Sequence, residues 1–125
     1  LSTIIRNARV YAPGADITAQ ATAPVTAGRA VMISAARSAG GNLSVAHATA
    51  GGRVFGVAAT AAALDELVGV ARDGVVKITA GGTIAAFAEV EVGTAGRVIT
   101  KASGTAIGYA LTTATTDGTA EISLY

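Results

Sequence analysis

The chain has no cysteine, no tryptophan, two prolines and two lysines. No apolar run approaches the roughly 18 residues that a membrane-crossing helix needs. Without cysteine there are no disulfides, no thiol catalysis and no cysteine-ligated metal, and nothing points to a redox compartment. Lys77 and Lys101 stand among nine basic residues scattered without a run, against eight acidic ones, for a net charge of +1. The electrostatic footprint of a nucleic-acid binder is therefore missing. The opening LSTIIRNARV lacks the long apolar segment of a signal peptide, so the expectation is a soluble chain not secreted by the classical route, with no membrane partner.

Large apolar residues are also scarce. Aromatics make up 4% of the 125 residues, and about a quarter of the chain is alanine, so a hydrophobic share of 51% overstates the core. Transfer free energy follows buried area, at roughly 25 cal/mol per Å², and alanine has little area to bury. The composition predicts one domain with a thin core. Its lightly charged surface, 14% Asp, Glu, Lys and Arg, is expected to be covered in part by a partner.

Residues 1–24, LSTIIRNARVYAPGADITAQATAP, carry Pro13-Gly14 as a turn signal and Pro24 as a stop, with no helical period and no helix cap. They predict an extended N-terminal arm with short strands over 4–10 and 16–21. Ile4, Ile5, Val10 and Tyr11 make it too apolar for a free disordered tail. The arm is expected to lie on its own domain or on a neighbouring chain, the alternative being a first strand of the same sheet.

From residue 25 onward, short Val/Ile-rich runs alternate with glycine-containing turns. That pattern predicts an all-β fold, a small β-sandwich or barrel-like domain over 25–125. Strands are read over 29–34, 43–48, 53–59 and 66–72. Asp73-Gly74 is read as a type I′ hairpin turn joining LVGVAR to VVKITA. TIAA, AEVEV, RVITKA, AIGYALTT and AEISLY complete the strands, and the single helical candidate is 59–67, one or two turns at most. Two internal echoes suggest copies of a strand–turn–strand unit. VTAGRAV (25–31) resembles ITAGGTI (78–84), and Val54-Phe55-Gly56-Val57-Ala58 meets Ala106-Ile107-Gly108-Tyr109-Ala110.

VAHATAGGRVFGVAAT, with paired glycines and an arginine, raises the question of a phosphate loop. Such a loop needs a following helix, a lysine and a Ser/Thr; here Val54, Phe55 and Val57 continue as strand, so the glycines are turns. His47, the lone histidine, shares a strand face with Leu43 and Val45 and reads as a half-buried packing residue, since a catalytic histidine needs a nucleophile and an orienting carboxylate. Glu89 and Glu91 point from one face of AEVEV, opposite Val90 and Val92. They read as a solvated face, or as one facing arginines across an interface. Asp65-Glu66 caps or solubilises a loop. A lipoyl- or biotinyl-carrier hairpin is excluded because Lys77 lies within a strand and the hairpin tip is Arg72-Asp73-Gly74. Tyr11, Phe55, Phe87, Tyr109 and Tyr125 read as too few and too dispersed for a base- or sugar-stacking platform. No catalytic residue, cofactor, metal or small-molecule substrate is expected.

YAPGADIT, APVTAGRAVMI, VAHATAGGRVFGVA, DELVGVARDGVVKITAGGTIAAFAEVEVGTAGRVI and GTAIGYALTTA, in that order, span the chain from about Tyr11 to its end. In this order and spacing the chain resembles the tailed-phage capsid decoration, or cement, proteins. ALDELVGVARDG departs mildly from the commoner Gly-Glu-Leu-Val form of that family. The resemblance implies a non-enzymatic virion protein, made in the host cytoplasm, that binds the outside of an expanded icosahedral head. It also implies homotrimers that clamp adjacent major capsid subunits, with an extended N-terminal segment in the contact. The candidate contact residues are Ile4, Ile5, Arg6, Arg9, Val10 and Tyr11. The competing readings are another virion component, such as a fibre, tail or carbohydrate-binding module, and a small hydrolase in which Glu89 or Glu91 meets His47.

Overall fold

In DITAQA, the side chains of Ile17, Ala19 and Ala21 turn inward while Asp16 and Thr18 face out, the period of two that makes a half-buried strand. In this computed structural model, which describes residues 8–11 and 13–125, that segment is β1 (Asp16–Ala21). Next come β2 (Ala30–Ala35), β3 (Leu43–His47), β4 (Gly56–Ala58) and β5 (Leu67–Ala71). The remaining strands are β6 (Val75–Thr79), β7 (Glu89–Val92), β8 (Val98–Thr100), β9 (Gly108–Ala110) and β10 (Thr119–Leu124). The only helical turn among the described residues is a 3₁₀ turn at Thr94–Gly96.

The first five strands close on themselves in the order β1-β3-β2-β4-β5. β1 runs parallel to β3 and antiparallel to β5, with Ala19 opposite both Leu43 and Val68. The second five follow the same plan: β6 pairs with β10, β10 with β9, β9 with β7 and β7 with β8, all antiparallel. Where β1 meets β3 through a ladder, β6 meets β8 through a single parallel bridge, Ala80 to Val98. The second unit is thus the same ring with one seam barely stitched. This pairing sets Val25 against Ile84 and Val31 against Val90, not Val25 against Ile78 as the first sequence echo has it. It does set Gly56 against Gly108, as in the second echo.

A five-stranded ring is narrow, and only small or β-branched side chains fit inside. The first ring is filled by Ala19, Ala21, Val25, Val31, Val45, Ala58, Ala62, Val68 and Val70. In the second the bulk comes from Ile78, Ile84 and Ile122. No aromatic side chain is fully buried, which accounts for the alanine-rich, aromatic-poor composition. The rings also press strands close together. A Cβ on Gly56 would stand 2.5 Å from Val70 Cγ1 and 2.6 Å from the Ala71 carbonyl oxygen. Gly108 faces Ile122 and Ser123 in the same way.

Several sequence expectations change. The segment 59–67 is no helix: Ala62 bridges Val25, and Asp65 turns the chain at φ 68°. Bonding across the ring outweighs alanine's helical preference over so short a stretch. Asp73-Gly74 does not close a hairpin, because β5 bonds to β1 and β4 while β6 bonds to β10. Gly74 alone has positive φ, so the turn hands the chain from one unit to the next. The strand read over 53–59 shortens to Gly56–Ala58. An arm ending at residue 24 does not fit either, since 16–21 is a ring strand bonded on both edges.

Candidate functional site

The polar groups that invite a catalytic reading are each engaged locally. His47 Nε2 accepts the Thr26 backbone N–H at 3.0 Å. Burial and then the Arg29 charge hold its pKa below the ordinary value. Glu91 is buried at 5% exposure, contrary to a solvated strand face; its Oε1 accepts the Ala102 N–H at 2.5 Å, and Gly51 and Gly104 close over it. Glu89 stays exposed and its Oε2 accepts the Tyr125 hydroxyl at 2.6 Å. That bond, ahead of partial burial and the nearby charge, raises the Tyr125 pKa. Glu66 caps the Ala63 turn, accepting its N–H at 2.6 Å. Among the described residues, no group of three or more His, Asp or Glu is placed to hold a metal.

The glycine loop joins the two units. Gly51 N–H donates to the Val92 carbonyl at 2.8 Å, and the Gly51 carbonyl accepts from Thr105 N–H at 3.0 Å. Nearby, Thr79 N–H donates to the Gly28 carbonyl at 2.9 Å and Arg29 Nη1 to the Ala95 carbonyl at 3.1 Å. Ala30, Val57 and the half-buried Ala71 pack into the same core as Val76 and Ile78. One face of the first unit is therefore covered by a different face of the second.

Of the six contact residues read from the sequence, Ile4, Ile5 and Arg6 lie outside the described residues. Arg9, Val10 and Tyr11 are exposed, Val10 at 74%. The Tyr11 hydroxyl accepts from Arg37 Nη1 at 3.3 Å, and the Arg37 guanidinium carbon lies 5.8 Å from the ring centroid. This places Tyr11 beside the β2–β3 loop.

A second surface escaped sequence reading. Tyr109 lies opposite Glu89 on one side and Ser123 on the other, so all three share the outer face of the second unit. Phe87 and Tyr109 meet edge to face at 5.8 Å between centroids, and Tyr125 stands 6.3 Å from Tyr109. Three of the five aromatic residues thus converge, correcting the reading of them as dispersed. Both lysines lie at the rim, Lys77 opposite Glu121 and Lys101 bonded through its N–H to the Glu89 carbonyl.

Phe87 is 83% exposed and has φ 73°. Each residue of the two antiparallel isolated bridges, Val25, Ala62, Ile84 and Ala114, is followed three positions later by a left-handed residue: Gly28, Asp65, Phe87 and Asp117. Glycine and aspartate adopt that conformation readily; phenylalanine does so at a cost. The sequence signal was the repeated spacing, which low-complexity flanks conceal.

Two ring-like β units whose polar groups are engaged locally, with an exposed segment at one side and an exposed aromatic cluster at the other, make a small β-barrel module that presents surfaces. A family model described as phage cement protein matches residues 11–124, and the chain belongs to that family. Among solved structures, it is similar to the head fiber gp8.5 N base of bacteriophage phi29, with a TM-score of 0.77 and 20% identity over 88% of this chain and 92% of that one. At that identity the likeness is one of fold. No curated protein matches the chain.

Proposed function

We propose that this protein is a capsid cement: it binds the outer surface of an expanded phage head and stabilises contacts between major capsid subunits, without catalysis and without a cofactor. The observation that carries the reading is membership of the phage cement family over residues 11–124. A protein that binds only the expanded lattice stabilises it by mass action, and many copies multiply a modest free energy. In this reading the chain works as a homotrimer on the virion surface. Ile4, Ile5, Arg6, Arg9, Val10 and Tyr11 supply contacts to the capsid or to a neighbouring copy. Because the first unit bonds every strand on both edges, contact runs through side chains and loops more than through added strands.

The test is to mix the purified chain with expanded heads that lack it and sediment the particles. Saturable co-sedimentation at micromolar concentration is expected; a chain left in the supernatant overturns the reading. The fold likeness to a head-fibre base favours a second reading, a pedestal that carries a fibre. A particle image with density extending outward from this chain would select it.

A further inference from the structure

The glycine loop that invites a phosphate reading carries one residue that the fold leaves without a task, Arg53. Arg53 and Arg72 are both exposed and line the same two adjoining cavities, which also share Val54 and Phe55. Met32, Ile33, Val54 and Phe55 give the larger one, about 540 Å³, an apolar floor. The smaller continues across the junction of the units to Ile107 and Leu124. Together they make one apolar cleft with two guanidinium groups among its walls.

Arg72 is already held in place. Its Nε–H donates to the Phe55 carbonyl at 3.0 Å, and its guanidinium carbon lies 4.3 Å from the centroid of the Phe55 ring. These contacts fix the plane of the group and leave its terminal nitrogens, the fork that matches a carboxylate, free to bond a ligand. Among the described residues neither Arg53 nor Arg72 has an ion-pair partner, whereas Arg97 pairs with Asp117 at 3.0 Å. An arginine fixed in this way loses little freedom on binding, and arginine is a residue type that concentrates binding energy at protein interfaces.

We propose that this cleft takes an acidic, apolar segment of the major capsid subunit, with carboxylates on Arg53 and Arg72 and aliphatic side chains on the floor. The identity of the partner rests on the capsid reading above; the chemistry of the occupant does not. Charge complementarity selects it, since two cations beside an apolar floor are matched by carboxylates interleaved with aliphatic groups. The chain's own leading segment is no match: residues 1–15 carry Arg6 and Arg9 and no carboxylate. A nucleic acid is no match either, because the remaining basic residues are scattered and no basic stripe runs on from the cleft.

The experiment has two arms, both on the full-length chain. In the first, NMR follows the Arg72 Nε–H and the Phe55 backbone N–H as a probe is added: the end-blocked peptide Glu-Leu-Glu-Leu-Glu, its counterpart Gln-Leu-Gln-Leu-Gln, or oligothymidylate. The acidic peptide should shift both signals and the other two probes should not. In the second, Arg53→Gln, Arg72→Gln and the double variant are sedimented with expanded heads. Each single change should weaken binding about tenfold, the worth of one charge-assisted contact. Arg72→Lys keeps the charge and loses the fork, so it should fall between the parent and Arg72→Gln. Lys101→Gln, which lies outside the cleft, should bind as the parent does. Equal urea midpoints restrict the comparison to folded chains. Four results each overturn the proposal: no shift with the acidic peptide; an equal shift with the glutamine peptide or oligothymidylate; signals that move with protein concentration alone, which put a second copy in the cleft; or a folded double variant that binds heads as tightly as the parent. The last of these leaves the capsid reading standing, whereas a parent that does not bind heads removes that reading and, with it, the capsid as occupant.

Discussion

The carboxylate of Glu91 and the backbone N–H of Ala102 are joined at 2.5 Å inside a pocket closed by Gly51 and Gly104, where the two units meet. The register puts Glu91 at the position that Met32 holds in the first unit, so a charged group sits where the other copy has a thioether.

Removing this carboxylate takes away a charge-assisted bond that is part-buried, a loss of about 1 kcal/mol. Glu91→Ala is expected to lower the thermal midpoint by several degrees, and Glu91→Gln, which keeps an acceptor, by less. Calorimetry of the variants checks both. A midpoint for Glu91→Ala equal to the parent's would show that the bond does not support the fold.

Close strand approach makes a second prediction. Gly56→Ala and Gly108→Ala each push a methyl into a neighbouring strand and should cost about 1–3 kcal/mol, the range for overpacking. Gly82→Ala, which meets nothing within 4 Å, is the control and should be near neutral. Urea unfolding curves compare the three.

A truncation series separates leading segment from ring. A chain beginning at Gly14 keeps β1 and the Ala15 carbonyl that Arg72 N–H bonds, so it should fold with native circular dichroism. A chain beginning at Val25 loses a strand bonded on both edges and should unfold. Equal stability of the two would return 16–21 to the arm.

His47 gives the pH dependence. Its pKa is lowered in the fold, by burial first and by Arg29 second, so the unfolded chain takes up the proton at higher pH than the folded one. This contribution to stability is full above the ordinary value of about 6.5 and declines as pH falls from there toward the depressed value. The ring keeps solvent contact, so the slope should be shallow. His47→Gln, which retains an acceptor for the Thr26 N–H, should flatten the profile between pH 7 and 5 in thermal melts.

How far the sequence reveals this molecule depends on the range of the interaction concerned. Alternation is local, and it located the strands at 16–21, 30–35 and 119–124 with little error. The Asp-Gly turn is local too, but whether it returns a strand to its neighbour or passes it to another ring depends on partners far along the chain. Burial of Glu91 likewise depends on loops ten or more residues away. The meeting of Phe87, Tyr109 and Tyr125 needs the register of three strands, which spacing in the chain does not encode. His47, Glu89 and Glu91, which the small-hydrolase reading brings together, each bond a different backbone or side-chain group.

One asymmetry has a mechanical meaning. The first ring is stitched all the way round, whereas the second is fastened between β6 and β8 by one bridge at Ala80 and Val98. Under load the two halves would behave as a stiff hoop beside a split one.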